Sequence, residues 1–135
     1  MSKWLLKSEP NDYSFDDLER EKRAVWDGVK NPVALKHMRN VQPGDQAFFY
    51  HTGKEKAIIG IAKVEIAAYP DPDADDERLV VFEISPARRL ASPVTLAAVK
   101  AAGEFAGWEL VRVPRLSVMP VSDSIWSRVL AMAKR

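Results

Sequence analysis

The sequence predicts an α+β fold: a small mixed β-barrel with helices inserted between strands. Strand-like runs dominate, the strongest being Ala57 to Ala67 with Ile58, Ile59, Ile61, Val64 and Ile66. Helical segments fall between non-adjacent strands and do not follow the strand–helix alternation of a doubly wound sheet. The chain of 135 residues fits one domain, with core enough to need no cross-links.

The first strand, Lys3 to Lys7, stops at Pro10. Ser14-Phe15-Asp16-Asp17 has the form of a capping box and predicts a helix over Phe15 to Glu21. Trp26-Asp27-Gly28-Val29 is a turn signal. Asn31 is then a good N-cap and Pro32 suits the first helical position, so a helix should run to about Arg39 and end before Pro43-Gly44. Asp45 to Tyr50 and Ala57 to Ala67 form a hairpin through His51 to Lys56, and Gly60 inside the second strand marks a bulge or a close backbone approach. A Pro/Asp-rich loop, Tyr69 to Asp76, leads to a strand over Leu79 to Ser85. Thr95 caps a helix that ends at Gly103. Leu110 to Leu116 reads as a strand with Val111 and Val113 on one face and Arg112 on the other. Ser122 caps a last helix carrying Ile125, Trp126, Val129 and Leu130 at helical spacing.

Composition excludes several classes. There is no cysteine, hence no disulfide framework, thiolate metal site or thiol nucleophile. The apolar start Trp4-Leu5-Leu6 is too short for a signal peptide, and no apolar run approaches the ~20 residues of a membrane helix. The expectation is a soluble, cytoplasmic protein with no membrane partner. Twenty basic residues against 19 acidic argue against bulk binding of phosphates, but not against reading one extruded base in a local pocket. Charge is uneven locally: Asp71 to Glu77 is acidic, while Arg112 to Arg115 and Lys134-Arg135 are basic. No phosphate loop, dinucleotide fingerprint, serine-hydrolase elbow or zinc-protease motif is present. The two histidines have no carboxylate partner placed by the sequence, so neither metal nor cofactor is expected.

His37 falls within a helix as a surface or packing residue. His51, directly after Tyr50, ends a strand and is either a turn residue or part of a pocket. Trp26-Asp27-Gly28 joins an aromatic face to a carboxylate and open backbone amides, which suits a planar, hydrogen-bonding ligand; stacking of a base on an aromatic ring is worth about 1–3 kcal/mol. The plain alternative for Trp26 is a core anchor, the role expected of Trp4, Trp108 and Trp126. Lys7-Ser8-Glu9 is either a solvated strand end or a recognition edge of donor and acceptor groups. Arg115-Leu116-Ser117 likewise ends a strand in polar groups.

Taken in order, Trp4 to Pro10, Tyr13 to Leu18, Val25 to Asn31, Gly44-Asp45 with Phe48 to His51, Gly60 to Ala62, Tyr69 to Pro72, Pro93 to Leu96 and Arg115 to Val118 make the chain resemble the EVE domain family from Trp4 to Trp126. The resemblance implies a PUA-like fold, related to the domains that read methylated adenine, and a pocket for a modified base in DNA or RNA, with 5-methylcytosine derivatives in DNA proposed for the group. It points to Lys7, Ser8, Glu9, Trp26, Asp27, Tyr50, His51, Arg115 and Ser117 as the pocket neighbourhood, and its Trp26 to Asn31 stretch adds Gly28, Val29 and Asn31. Where the family continues Arg-Asn-Tyr-Gln-Ala-Arg-Asn, this chain reads Lys30-Asn31-Pro32-Val33-Ala34-Leu35-Lys36. Loss of that Tyr, Gln and second Arg points to a different ligand preference or a weaker grip.

The leading expectation is a non-catalytic binder in which Trp26 stacks on the base, with Tyr50 on its other side or edge. Ser8, Glu9 and Asp27 would read the polar edge, while Lys7, Lys30 and Arg115 meet flanking phosphates. Two alternatives remain: an enzyme acting on a nucleobase or small metabolite through Glu9, Asp27 and His51, or an interaction module docking through Trp126 and its apolar neighbours. A monomer or weak dimer is expected.

Overall fold

The structure is a computed structural model and describes residues 1–134. Six strands and five helices alternate irregularly: β1 (Lys3–Ser8), α1 (Phe15–Glu21), β2 (Ala24–Trp26), α2 (Pro32–Met38), β3 (Gln46–His51), β4 (Ala57–Pro70), β5 (Val80–Thr95), α3 (Leu96–Ala102), α4 (Glu109–Arg112), β6 (Val118–Val121) and α5 (Asp123–Ala133). The strands form one sheet in the order β2-β5-β4-β3-β1-β6. All pairs are antiparallel except β1 with β3, and the long return that a parallel pair needs is supplied by α1, β2 and α2.

The ladder is open, so the expected barrel is curled rather than closed. The curl has visible causes: β4 and β5 are long, and their pairing shifts register at four places, each of which bends and twists the strands. One shift falls at Gly60, where an added Cβ would meet the Phe15 ring at 2.5 Å. Both readings of that glycine, bulge and close approach, therefore apply. Trp26 of β2 meets Phe49 of β3 edge to face at 5.6 Å, although β5 and β4 separate the two strands in the ladder. Such contact requires the sheet to fold over its own interior. Helix α2 touches both β5 and β6 and so sits across the opening between the sheet's two ends.

Helix ends follow the local signals. Ser14 and Asp17 form a reciprocal capping box on α1, and the Asn31 side chain accepts from the Val33 and Ala34 amides at the start of α2. Thr95 and Ser122 cap α3 and α5. Helix α5 lays Trp126 flat on Phe48 at 3.8 Å between centroids, while Trp4 and Trp108 are also buried. Buried Asp45 accepts from the Trp4 indole at 2.9 Å and from the Ser2 and Gln42 amides, tying the chain start to β3.

Strands β2 and β6 are not expected from the sequence, and two further segments correct its reading. Leu110 to Leu116 is not a strand: residues 109–112 are helical, with the Arg112 amide bonding back to Trp108 and that of Val113 to Glu109. Alternating Val111 and Val113 imitate a strand, but local turn bonds claim their amides and Pro114 has none to offer. The strand over Leu79 to Ser85 extends instead to Thr95, across Pro86 and Pro93. Its pairing with the 14-residue β4 carries the 16-residue β5 past both prolines. Among the described residues, no helix is long and apolar enough to cross a membrane.

Candidate functional site

The opening of the curled sheet is a cleft of about 750 Å³. Its walls come from strands that are distant in the ladder: Ala24, Val25 and Trp26 of β2 on one side, Lys7 and Ser8 of β1 with Ser117 on the other. Strand β2 pairs on one side only, with β5, so its free edge faces a gap that an ordinary barrel would close. The turn Asp27-Gly28-Val29-Lys30-Asn31 forms one rim, and Gly28 holds a left-handed φ of +74° that any other residue would find strained.

Within the cleft, side chains divide into those committed to the fold and those left over. Ser8 donates to the Tyr13 carbonyl. Glu9 accepts from the Asn11 amide and from Thr52 at 3.1 Å each. Lys7 donates to the Pro114 carbonyl at 2.8 Å beside the Tyr50 ring, and burial lowers its pKa. The Asn31 oxygen belongs to the α2 cap. By contrast, the Asp12, Asp27 and Lys30 side chains line the cleft with no hydrogen bond or ion pair among the described residues. Trp26 is 7% exposed, which makes it at once a core anchor and part of the cleft wall.

Three of the expected residues lie elsewhere. Tyr50 is buried beneath Lys7 and does not line the cleft. His51 is also buried, and both ring nitrogens are occupied: Nε2 accepts the Phe15 amide at 3.0 Å, which leaves the proton on Nδ1, and Nδ1 donates to Glu55 at 2.8 Å. Arg115 is exposed outside the cleft. Glu9, Asp27 and His51 therefore do not converge on one ligand position, and the acid–base arrangement loses its histidine. Trp126 and Val129 are buried in the core rather than displayed for docking.

The structure adds Asp12, Tyr13, Glu21, Arg23, Ala24 and Val25 to the site. Tyr13 donates to Glu21 at 3.1 Å, and its phenol is pushed up to about 12 by desolvation and then by that carboxylate. It is a neutral donor at any physiological pH. Arg23 pairs with Glu83 at 3.4 Å. Val25 is 47% exposed, an apolar side chain standing open on the cleft wall. Nothing local announces Arg23 or Glu21. Four carboxylates (Glu9, Asp12, Glu21, Asp27) and three basic groups (Lys7, Arg23, Lys30) line the cleft. Among the described residues, no cluster of acidic and histidine side chains could hold a metal.

Comparison with known proteins agrees with this architecture. Residues 2–132 match the EVE domain family profile. A solved protein of Rhodopseudomonas palustris is 40% identical, covers 99% of this chain with 94% of its own length and superposes with a TM-score of 0.94. Human THYN1, solved in complex with DNA containing 5-methylcytosine, is 27% identical with a TM-score of 0.91, over 100% of this chain and 99% of that one. Chicken thymocyte nuclear protein 1 is 39% identical over 87 residues, 56% of this chain but only 36% of that protein. The human protein aligns at 27% identity over 99% of this chain and 75% of its own length.

Proposed function

The chain belongs to the EVE domain family, and from that premise we propose that its cleft receives one extruded modified base, of the 5-methylcytosine class, as a binder and not an enzyme. The observation that carries this reading is the pair of unpartnered carboxylates, Asp12 and Asp27, in a cleft walled by Trp26. Carboxylates accept hydrogen bonds, and cytosine presents an exocyclic amino group as donor on its pairing edge. An excess of acidic groups suits such a base and repels a phosphate. Trp26, though 7% exposed, gives the cleft an apolar wall, and Val25 with half-buried Val29 gives a methyl group apolar company. The ligand of the human relative, DNA carrying 5-methylcytosine, belongs to this chemical class. The continuous hydrophobic core supports reading the chain as one domain.

Extrusion costs a few kcal/mol, which stacking and the edge contacts must return. Fluorescence anisotropy with short single strands and duplexes, each carrying one 5-methylcytosine or one cytosine, tests the reading. The methylated strand should bind more tightly, and equal affinity would reject this function. Val25→Ser should narrow the preference by about fourfold, the worth of one buried methyl at about 0.8 kcal/mol.

A further inference from the structure

Resting on that base-binding reading, we propose that a second cleft beside the first holds the phosphodiester backbone of the strand that delivers the base. This cleft, of about 570 Å³, lies between α2 and the loop that leads into β5. Its charged lining is Lys30, Arg39, Arg78 and Asp76, set beside Leu35 and Leu79. Lys30 lines both clefts, so they adjoin. Their charge is opposite. Four carboxylates and three basic groups line the first, whereas one carboxylate stands among three basic groups in the second. A strand placing its base among acceptors must put the adjoining phosphates somewhere less acidic, and the second cleft is next to hand.

The basic groups there are available. Lys30 has no protein partner among the described residues, and Arg39 and Arg78 are exposed. Arg39 donates one bond, at 2.6 Å, to the Arg78 carbonyl, which ties α2 to the loop and leaves the rest of its guanidinium fork free. Arg78 is held by Asp76 through two bonds, at 3.0 and 2.8 Å. Asp76 thus competes with a phosphate for the same bidentate donor. Of the acidic run Asp71 to Glu77 that precedes Arg78, Asp76 alone lines the cleft.

Arg39→Gln, Arg78→Gln and Asp76→Asn should be compared with the wild type by anisotropy. The probes are short single-stranded DNA and RNA of one sequence, each with a central 5-methylcytosine or cytosine, at low and at physiological salt. Each arginine variant should weaken methylated and unmethylated strands alike, about 3- to 10-fold at low salt, and flatten the salt slope by about 0.7 for each phosphate no longer held. DNA and RNA should weaken together, because the phosphodiester is common to both. Asp76→Asn should tighten both by freeing the Arg78 fork. Affinities and slopes unchanged in all three variants would overturn the proposal, as would a wild type whose binding ignores salt. The two readings fail separately. A wild type blind to the methyl group but sensitive to Arg39 and Arg78 keeps the backbone track and rejects the base site; a discriminating wild type with an intact slope in the variants does the reverse.

Discussion

Two strands finish with an aromatic residue and a polar one in succession, Trp26-Asp27 at the end of β2 and Tyr50-His51 at the end of β3, and the protein uses them in opposite ways. Strand β3 lies between β4 and β1, and everything at its end is taken: Tyr50 lies under Lys7, and His51 joins the start of α1 to Glu55. Strand β2 stands at the sheet edge, so Trp26 keeps one side on Phe49 and another on the cleft, while Asp27 has no partner among the described residues. A polar side chain is available for a ligand when its strand runs out of neighbours, whatever its residue type.

Substitution can break this contrast. The largest effect should come from Trp26→Ala, which removes both a core anchor and the cleft wall: about 3–5 kcal/mol of stability by denaturant unfolding, with oligonucleotide binding lost. Retained affinity in the folded fraction would place the base elsewhere. His51→Ala should cost about 1–3 kcal/mol, because the Phe15 amide loses its buried acceptor, yet leave the preference for the methylated base intact. If that preference disappears while the fold stays stable, His51 belongs to the site after all.

Asp27→Asn should show the mirror image. Stability should shift by no more than about 0.5 kcal/mol, as at other exposed positions without partners. Affinity for a strand carrying 5-methylcytosine should fall about tenfold, near 1.4 kcal/mol. An unchanged titration would remove Asp27 from recognition.

The smallest effect is one of pH. Burial raises the Tyr50 phenol, a hydrogen bond to Glu83 raises that of Tyr69, and Tyr13 is pushed up to about 12. A raised phenol favours the folded state while its proton stays on, so this contribution is complete below the ordinary value near 10 and disappears as pH rises through the folded one. Tyrosinate absorbance at pH 10 should therefore be weaker in the native protein than in the unfolded chain. A native titration with no step above 10 would contradict the burial and the Glu21 bond that hold the Tyr13 proton.

Helix starts are legible because their causes are local. The Ser14 and Asp17 box, the Asn31-Pro32 start, and the Thr95 and Ser122 caps each need only a few consecutive residues. The hairpin of β3 and β4 and the special place of Gly60 are legible for the same reason. Leu110 to Leu116 misleads because two alternating valines look the same in a strand as in a helical turn before a proline, and only a partner strand would tell them apart.

The cleft is legible in part. Trp26 to Asn31 and Lys7 to Glu9 can be picked out as polar segments beside apolar strands, and Ser117 with them, but not that they face one another. Arg23, Glu21 and Val25 enter the site only because the sheet curls β2 toward β1. The sequence by itself determined the capped helices, the longer strands and the chemistry at their ends, since caps, turns and strand propensity act over a few residues. Tertiary structure alone decided that the sheet stays open, that the opening lies beside Trp26 and that His51 is enclosed, because those outcomes depend on which distant strands become neighbours.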